Sequence, residues 1–424
     1  MKIPFLKFLN EFDSSQAKST INKVKDFFSV EPQKEKVLRH EDFNAAGDIY
    51  YANVSSIYKI SQRILVLILV AFLLFSVITN FRAITYDNFF YLFKDFSNAV
   101  DIESSNYDTL SYTSDTRHFF SLYRGGLVVV NPSNVSVYTA TGRNTLNTIS
   151  QYSSPCVESF DKYFLVYDTA DTVFGIYNSF SRVYSEVLEY PVTDACFADN
   201  GMFAIITRDI SHKSLVRVYD NNFNPIFGVP ENLYAFDVNI SSDDDRLAIC
   251  YYDNGIGNGS SEIVVYSISE AKKQTSISIE GEFLIQSGFL NNGNFAVITD
   301  SSIKIYDKNF DIKSSVEYNN AQLTGFDISK HGVAASYVLN SENHIVVFGS
   351  DARLIHNEVI STSINDIGLY EKSAFLRTDD GIIRLDLQNN TQAFLPSGQG
   401  KMLIYNADTA LVCGSAKAEY LVFD

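Results

Sequence analysis

Apolar residues along this chain fall into two different patterns. Between Arg63 and Arg82 lies one unbroken run, ILVLILVAFLLFSVITNF (64–81), without a charged side chain. As a helix its 18 residues reach roughly 27 Å, about the hydrocarbon thickness of a bilayer. The run therefore predicts one transmembrane helix. A buried core helix keeps polar residues along one face, whereas this stretch has only Ser76, Thr79 and Asn80, all near its end. A cleavable signal peptide begins within the first few residues. This run starts after residue 63, so it is expected to persist as a signal-anchor.

Beyond residue 106 the apolar residues form short strand-like runs that recur. One type is VSVYTATG (135–142), VFGIYN (173–178), LVRVYD (215–220), IVVYS (263–267), IKIYD (303–307), IVVFGS (345–350), IIRLDL (382–387) and YLVFD (420–424). Aligning Tyr138, Tyr177, Tyr219, Tyr266, Tyr306, Phe348, Leu385 and Phe423 gives spacings of 39, 42, 47, 40, 42, 37 and 38. A second apolar run precedes each of these, as in LVVV (127–130), RLAICYY (246–252) and NFAVITD (294–300). Earlier still come a further strand and a tight turn, as in DACFADNGMF (194–203), FDVNISSDDDRL (236–247), SGFLNNGNF (287–295) and GFDISKHGV (325–333). Gly, Asn and Asp suit these turns because they tolerate positive φ. A more polar outer strand completes the unit, as in FNPIFGV (223–229) and AKKQTSISI (271–279).

Four strands at a period near forty residues predict an all-β chain, a β-propeller of four-stranded blades preceded by one transmembrane helix. Eight units can be counted, with seven blades as the alternative. A solenoid of the same period would need polar capping repeats, and none is visible. The last unit offers only three strands, ending in YLVFD, which would leave an unpaired edge. NYDTLSYT (106–113) is expected to supply the missing outer strand and close the ring. The expected organisation is an arm (1–63), the span (64–81), a juxtamembrane linker (82–105) and the propeller (106–424). Phe89, Phe93 and Phe96 stand at helical spacing in the linker.

Charge adds direction. Residues 1–63 hold ten Lys and Arg, while the twenty residues after the span hold only Arg82 and Lys94. The positive-inside rule then places the N-terminus in the cytoplasm and the propeller outside the plasma membrane. The arm carries ten basic and eight acidic side chains, and residues beyond it hold 42 acidic against 23 basic, so the expected exported part carries -19 of a chain whose net charge is -17. Such acidity argues against nucleic acid, whose phosphates need clustered Lys and Arg.

The stretch GDIYYANVSSIYKISQRI (47–64), the segment TYDNFFYLFKDF (85–96) and the strand repeats of 106–424 together resemble a family of uncharacterised single-pass, membrane-anchored propeller proteins of Gram-positive bacteria. The repeats are also similar to divergent WD-repeat and quinoprotein-type blades. No Trp occurs in the chain, so neither the WD dipeptide nor quinoprotein-type tryptophan docking is present, and no cofactor is expected. The resemblance implies a domain of unknown function and no activity.

Chemistry-bearing residues are scattered. Cys156, Cys196, Cys250 and Cys413 form no C-x-x-C pair, and the six histidines lack metal-ligand spacing, so free thiols and no metal site are expected. No nucleophile elbow, P-loop or dinucleotide fingerprint is visible, so no catalytic residue is assigned and no enzyme is expected. The Gly-rich loop YYDNGIGNGSSE (251–262) departs from calcium-loop spacing, and SSDDDR (241–246) reads as a hairpin turn. A more suggestive pattern is the acid between the second and third strands of successive blades: Asp168, Asp171, Asp209, Asp253, Asp300, Asp379 and Asp380. In a propeller these loops share one face, and carboxylates there favour cationic partners. The expected function is an interaction scaffold for unidentified cell-envelope or membrane proteins. The alternative is an extracytoplasmic sensor or ligand-binding propeller signalling to the arm, and a wall-glycan hydrolase or lyase is a third class.

Overall fold

The computed structural model describes residues 58–75, 109–115, 117–253, 260–318 and 321–423. The expectations for the arm before residue 58, for residues 76–81 of the span, for the linker with its three phenylalanines and for the glycines at 254–259 lie outside the described residues. The chain divides into two compact units, Met1–Phe89 and Phe90–Asp424. In the first, a helix over Tyr58–Phe75 is long and apolar enough to cross a membrane. Its Leu65 and Phe72 are 64% and 66% exposed, so no protein core among the described residues covers its greasy surface.

The second unit is a closed propeller of eight four-stranded antiparallel sheets. Blades are numbered here along the chain by their inner strands: Phe119–Tyr123, Pro155–Ser159, Val192–Phe197, Tyr234–Ile240, Leu284–Phe289, Gln322–Ser329, Asp366–Tyr370 and Lys401–Asn406. Eight blades, rather than seven, complete the circle. In blade 8 the outer strand is Thr109–Ser111, paired antiparallel with Lys417–Val422, with Leu110 opposite Ala418. Tyr112 reinforces this closure by donating its hydroxyl to the Gly414 carbonyl at 2.7 Å. The expected strand exchange at 106–113 is therefore present in a three-residue core.

Second strands read as continuous apolar runs because both of their faces are covered. In blade 1, Val128 and Val130 pack toward blade 2, while Leu127 and Val129 pack toward blade 8. The same alternation builds one core cluster at every interface around the circle. Aromatic residues of the third strands fill these seams. Tyr219 stacks on Phe203 with ring centroids 4.6 Å apart and planes 2° apart, and Tyr177 stacks on Phe164 at 5.3 Å.

The acid or amide that so often follows a third strand has a local cause. One Asp220 carboxylate oxygen accepts the amides of Asn222 and Asn224, each at 2.8 Å. Asp307 does the same for Asn309 and Asp311. These Asx turns let Phe223 and Phe310 adopt φ of 67° and 66°, strained values for residues with a Cβ. SSDDDR is a hairpin turn as expected, closed by the Asp244 amide on the Ser241 carbonyl at 2.8 Å and by an Asp243–Arg246 ion pair at 3.2 Å.

Candidate functional site

Carboxylates gather in two places on this ring. The first is the loop edge anticipated from the sequence, where second strands turn into third strands and where each blade hands over to the next. Asp168 is fully buried there, its oxygens accepting the amides of Ser154 at 3.0 Å, Ala170 at 2.9 Å and, closer still, Ser153. Asp300 is exposed and accepts the Phe283 amide at 3.1 Å, and exposed Asp379 takes the Asn365 side-chain amide at 2.6 Å. Three of the acids thus tie a hairpin turn to the incoming connection from the preceding blade. Asp171 and Asp380 are exposed, Asp209 is half-buried over the Ser211 and His212 amides, and Asp253 ends the second strand of blade 4. Ile210 and Phe283, at 85% and 53% exposure, sit on the same edge.

The second gathering is axial, and sequence reasoning missed it. Inner strands of neighbouring blades meet around the axis without a shared ladder, so their free amides need other acceptors. Asp194 of blade 3 accepts the Val238 amide of blade 4 at 3.0 Å. Asp237 of blade 4 accepts the Ser287 amide of blade 5 at 3.0 Å, and Asp327 of blade 6 accepts the Leu369 amide of blade 7 at 2.8 Å. In blades 3 and 4 a shift in ladder register immediately precedes the acid. Such bulges re-aim the next side chain, here toward the axis.

Glu158 of blade 2 and Asp366 of blade 7 join this group. Enclosure within the ring pushes Glu158 up to about 7, with Lys401 of blade 8 pulling it down and Asp237 pushing it further up. A residue of blade 2 can feel both blade 4 and blade 8 only across the axis. Glu158 is nevertheless exposed, in the open space the ring encloses. Burial also raises Asp327 to about 6 and lifts Asp194, Asp237 and Asp366 above the usual carboxylate range. For Asp194 the neighbouring charges of Asp237 and Glu158 add to that rise.

A cavity of about 530 Å³ opens between the inner strands of blades 5 to 8, with Gln286, Asp327, Lys330, His331, Asp366 and Lys401 as charged or polar lining. A smaller one of about 240 Å³ shares Gln286 and Lys330 with it. The thiols are free, as expected; Cys250 and Cys413 are buried, and burial pushes Cys413 up to about 12. Among the described residues no group of three or more His, Cys, Asp or Glu is arranged to hold a metal ion. The signal for the axial acids was available in DACFADN, FDVNISS and GFDISKH: each places one Asp inside an otherwise inward-facing strand.

Comparison with known proteins bears on the fold. The crystal structure of Saccharomyces cerevisiae Sqt1 is similar with a TM-score of 0.56 at 10% identity, covering 75% of this chain and 99% of that one. Chaetomium thermophilum Sqt1 bound to the N-terminus of the ribosomal protein L10 gives 0.54 at 12% identity, over 74% and 98%. The Neurospora crassa Pan2 WD40 domain gives 0.44 at 11% identity, over 63% and 87%. The two Sqt1 likenesses show the fold alone, a β-propeller. No curated protein matches the sequence. A family model matches residues 99–394, most of the chain. The chain belongs to the Family of unknown function DUF5711.

Proposed function

We propose that this protein is a membrane-anchored, extracytoplasmic propeller that serves as a protein-interaction scaffold in the cell envelope. The helix at Tyr58–Phe75 is the anchor, and the Lys and Arg of residues 1–63 hold that arm in the cytoplasm. The observation that carries the reading is the loop edge of the ring. There the exposed carboxylates of Asp171, Asp300, Asp379 and Asp380 stand on one rigid frame with exposed Ile210 and Phe283. Apolar anchors beside exposed carboxylates fit a protein segment with basic and hydrophobic side chains, and exposed Arg208 and Lys213 next to Ile210 offer it opposite charge as well. A solved propeller of the same fold is bound to the N-terminus of a ribosomal protein, which supports protein binding as a use of this architecture.

Photo-crosslinkers at Ile210 and Phe283 are the test, with Asn309 on the opposite edge as control. A defined adduct from the first two positions alone, lost when Asp300 and Asp379 are changed to Lys, is expected. Equal adducts from both edges, or none, would refute it. Protease added to intact cells should cut the propeller and spare the arm. A second reading, a ligand-binding propeller that signals through the helix, is favoured by the axial cavity. In that case replacing residues 1–63 by an unrelated basic tail abolishes the phenotype, whereas the scaffold tolerates the exchange.

A further inference from the structure

We propose that the axial cavity is a binding site for a small zwitterion, a free amino acid or dipeptide held by both of its charged termini. The cavity, at about 530 Å³, has the size of a small-molecule site. Its lining combines opposite charges that do not neutralise each other. Lys401 lies near enough to pull down the pKa of Asp327 and Asp366, yet among the described residues it makes no ion pair within 4.0 Å. Opposite charges kept apart across a cavity leave room for a molecule that carries both.

Unmet hydrogen-bonding capacity points the same way. Gln286 Oε1 and His331 Nε2 are buried atoms without a partner, and both residues line the cavity. Burial lowers the His331 pKa, so its ring is neutral and offers polarity rather than charge. An orphaned amide oxygen requires a donor. A ligand ammonium supplies three donors, for the free oxygens of Asp327 and Asp366 and, once the Gln286 side chain turns its buried Oε1 into the cavity, for that oxygen. The ligand carboxylate then faces Lys401, with Lys330 as a second cation in the lining. Phe326 and Leu403 provide apolar wall for a side chain.

This proposal does not depend on the loop edge; losing the crosslinks at Ile210 and Phe283 leaves it intact. The full chain in detergent is titrated calorimetrically with the free amino acids and a panel of dipeptides. Each binder is then compared with its N-acetyl and methyl-ester forms, and putrescine serves as a cation without a carboxylate. At least one free zwitterion is expected to bind, and blocking either terminus should weaken it about tenfold or more. Lys401→Met should abolish discrimination between acid and ester, and Asp366→Asn discrimination between amine and N-acetyl form. Absence of binding across the panel, blocked forms as tight as free ones, or putrescine as tight as the zwitterions would overturn the proposal. The comparison of blocked and free ligands on the native chain stands even if a variant does not fold.

Discussion

The loop edge and the axis of this ring use the same side chain for opposite ends. On the edge, Asp171 and Asp380 project into solvent, where a partner can reach their oxygens. Around the axis, Asp194, Asp237 and Asp327 receive amides from the next blade, and Asp194 also faces the charges of Asp237 and Glu158, as Asp327 does that of Asp366. Asp168 crosses the division most fully: its sequence position is on the edge, but its burial and three amide partners make it part of the frame, while Asp209, Asp300 and Asp379 hold amides yet stay in reach of solvent. An acid in a loop is thus defined by what its oxygens accept, not by the loop.

Mutation can break this comparison. The largest effect is expected at Asp168→Ala, which takes a fully buried acceptor from three amides and should cost about 3 kcal/mol in denaturant unfolding of the full chain. A loss similar to that of exposed Asp380→Ala, about 0.5 kcal/mol or less, would erase the distinction. Asp237→Ala leaves the Ser287 amide and hydroxyl without their acceptor and should cost about 2 kcal/mol. Asp237→Asn should recover part of that through its remaining oxygen.

Smaller again is a dependence on pH. Glu158 and Asp327 have folded pKa values raised to about 7 and about 6, so the folded chain binds more protons than the unfolded chain between their ordinary carboxylate values and these. Their contribution is full at low pH and is lost as pH rises to about 7. The thermal midpoint should therefore fall from pH 5 to pH 7.5, and Glu158→Gln with Asp327→Asn should flatten that fall. A midpoint that rises over this interval in the native chain, with the double variant unchanged, would contradict the axial charge crowding. Asp171→Ala with Asp380→Ala should move stability least while weakening the proposed partner crosslinks.

Much of the frame was legible because propeller physics writes itself along the chain. Second strands such as Gly126–Val130 and Phe295–Thr299 are buried throughout, so they appear as unbroken apolar runs that repeat once per blade. The missing outer strand was legible for the same reason: a last unit with three strands demands a fourth. The axial acids left only a local trace, one Asp within an inner-strand run such as FDVNISS. Glu158, Asp194, Asp237, Asp327 and Asp366 come from five blades, and nothing local says that their strands converge. The bulges before Asp194 and Asp237 also disturb the two-residue alternation that would have shown which way they point. On the edge, spacing located the acids but could not separate Asp168, consumed by amides, from Asp380, left in water.

The pairing of Thr109–Ser111 with Lys417–Val422 has a mechanical consequence. Among the described residues the earliest strand of the ring is also the final piece of the last sheet, so the circle stays open until Lys417–Val422 has been made. A pull applied to the chain on the N-terminal side of Thr109 loads the few hydrogen bonds of those three residues along the strand before the other strands of that sheet feel the force.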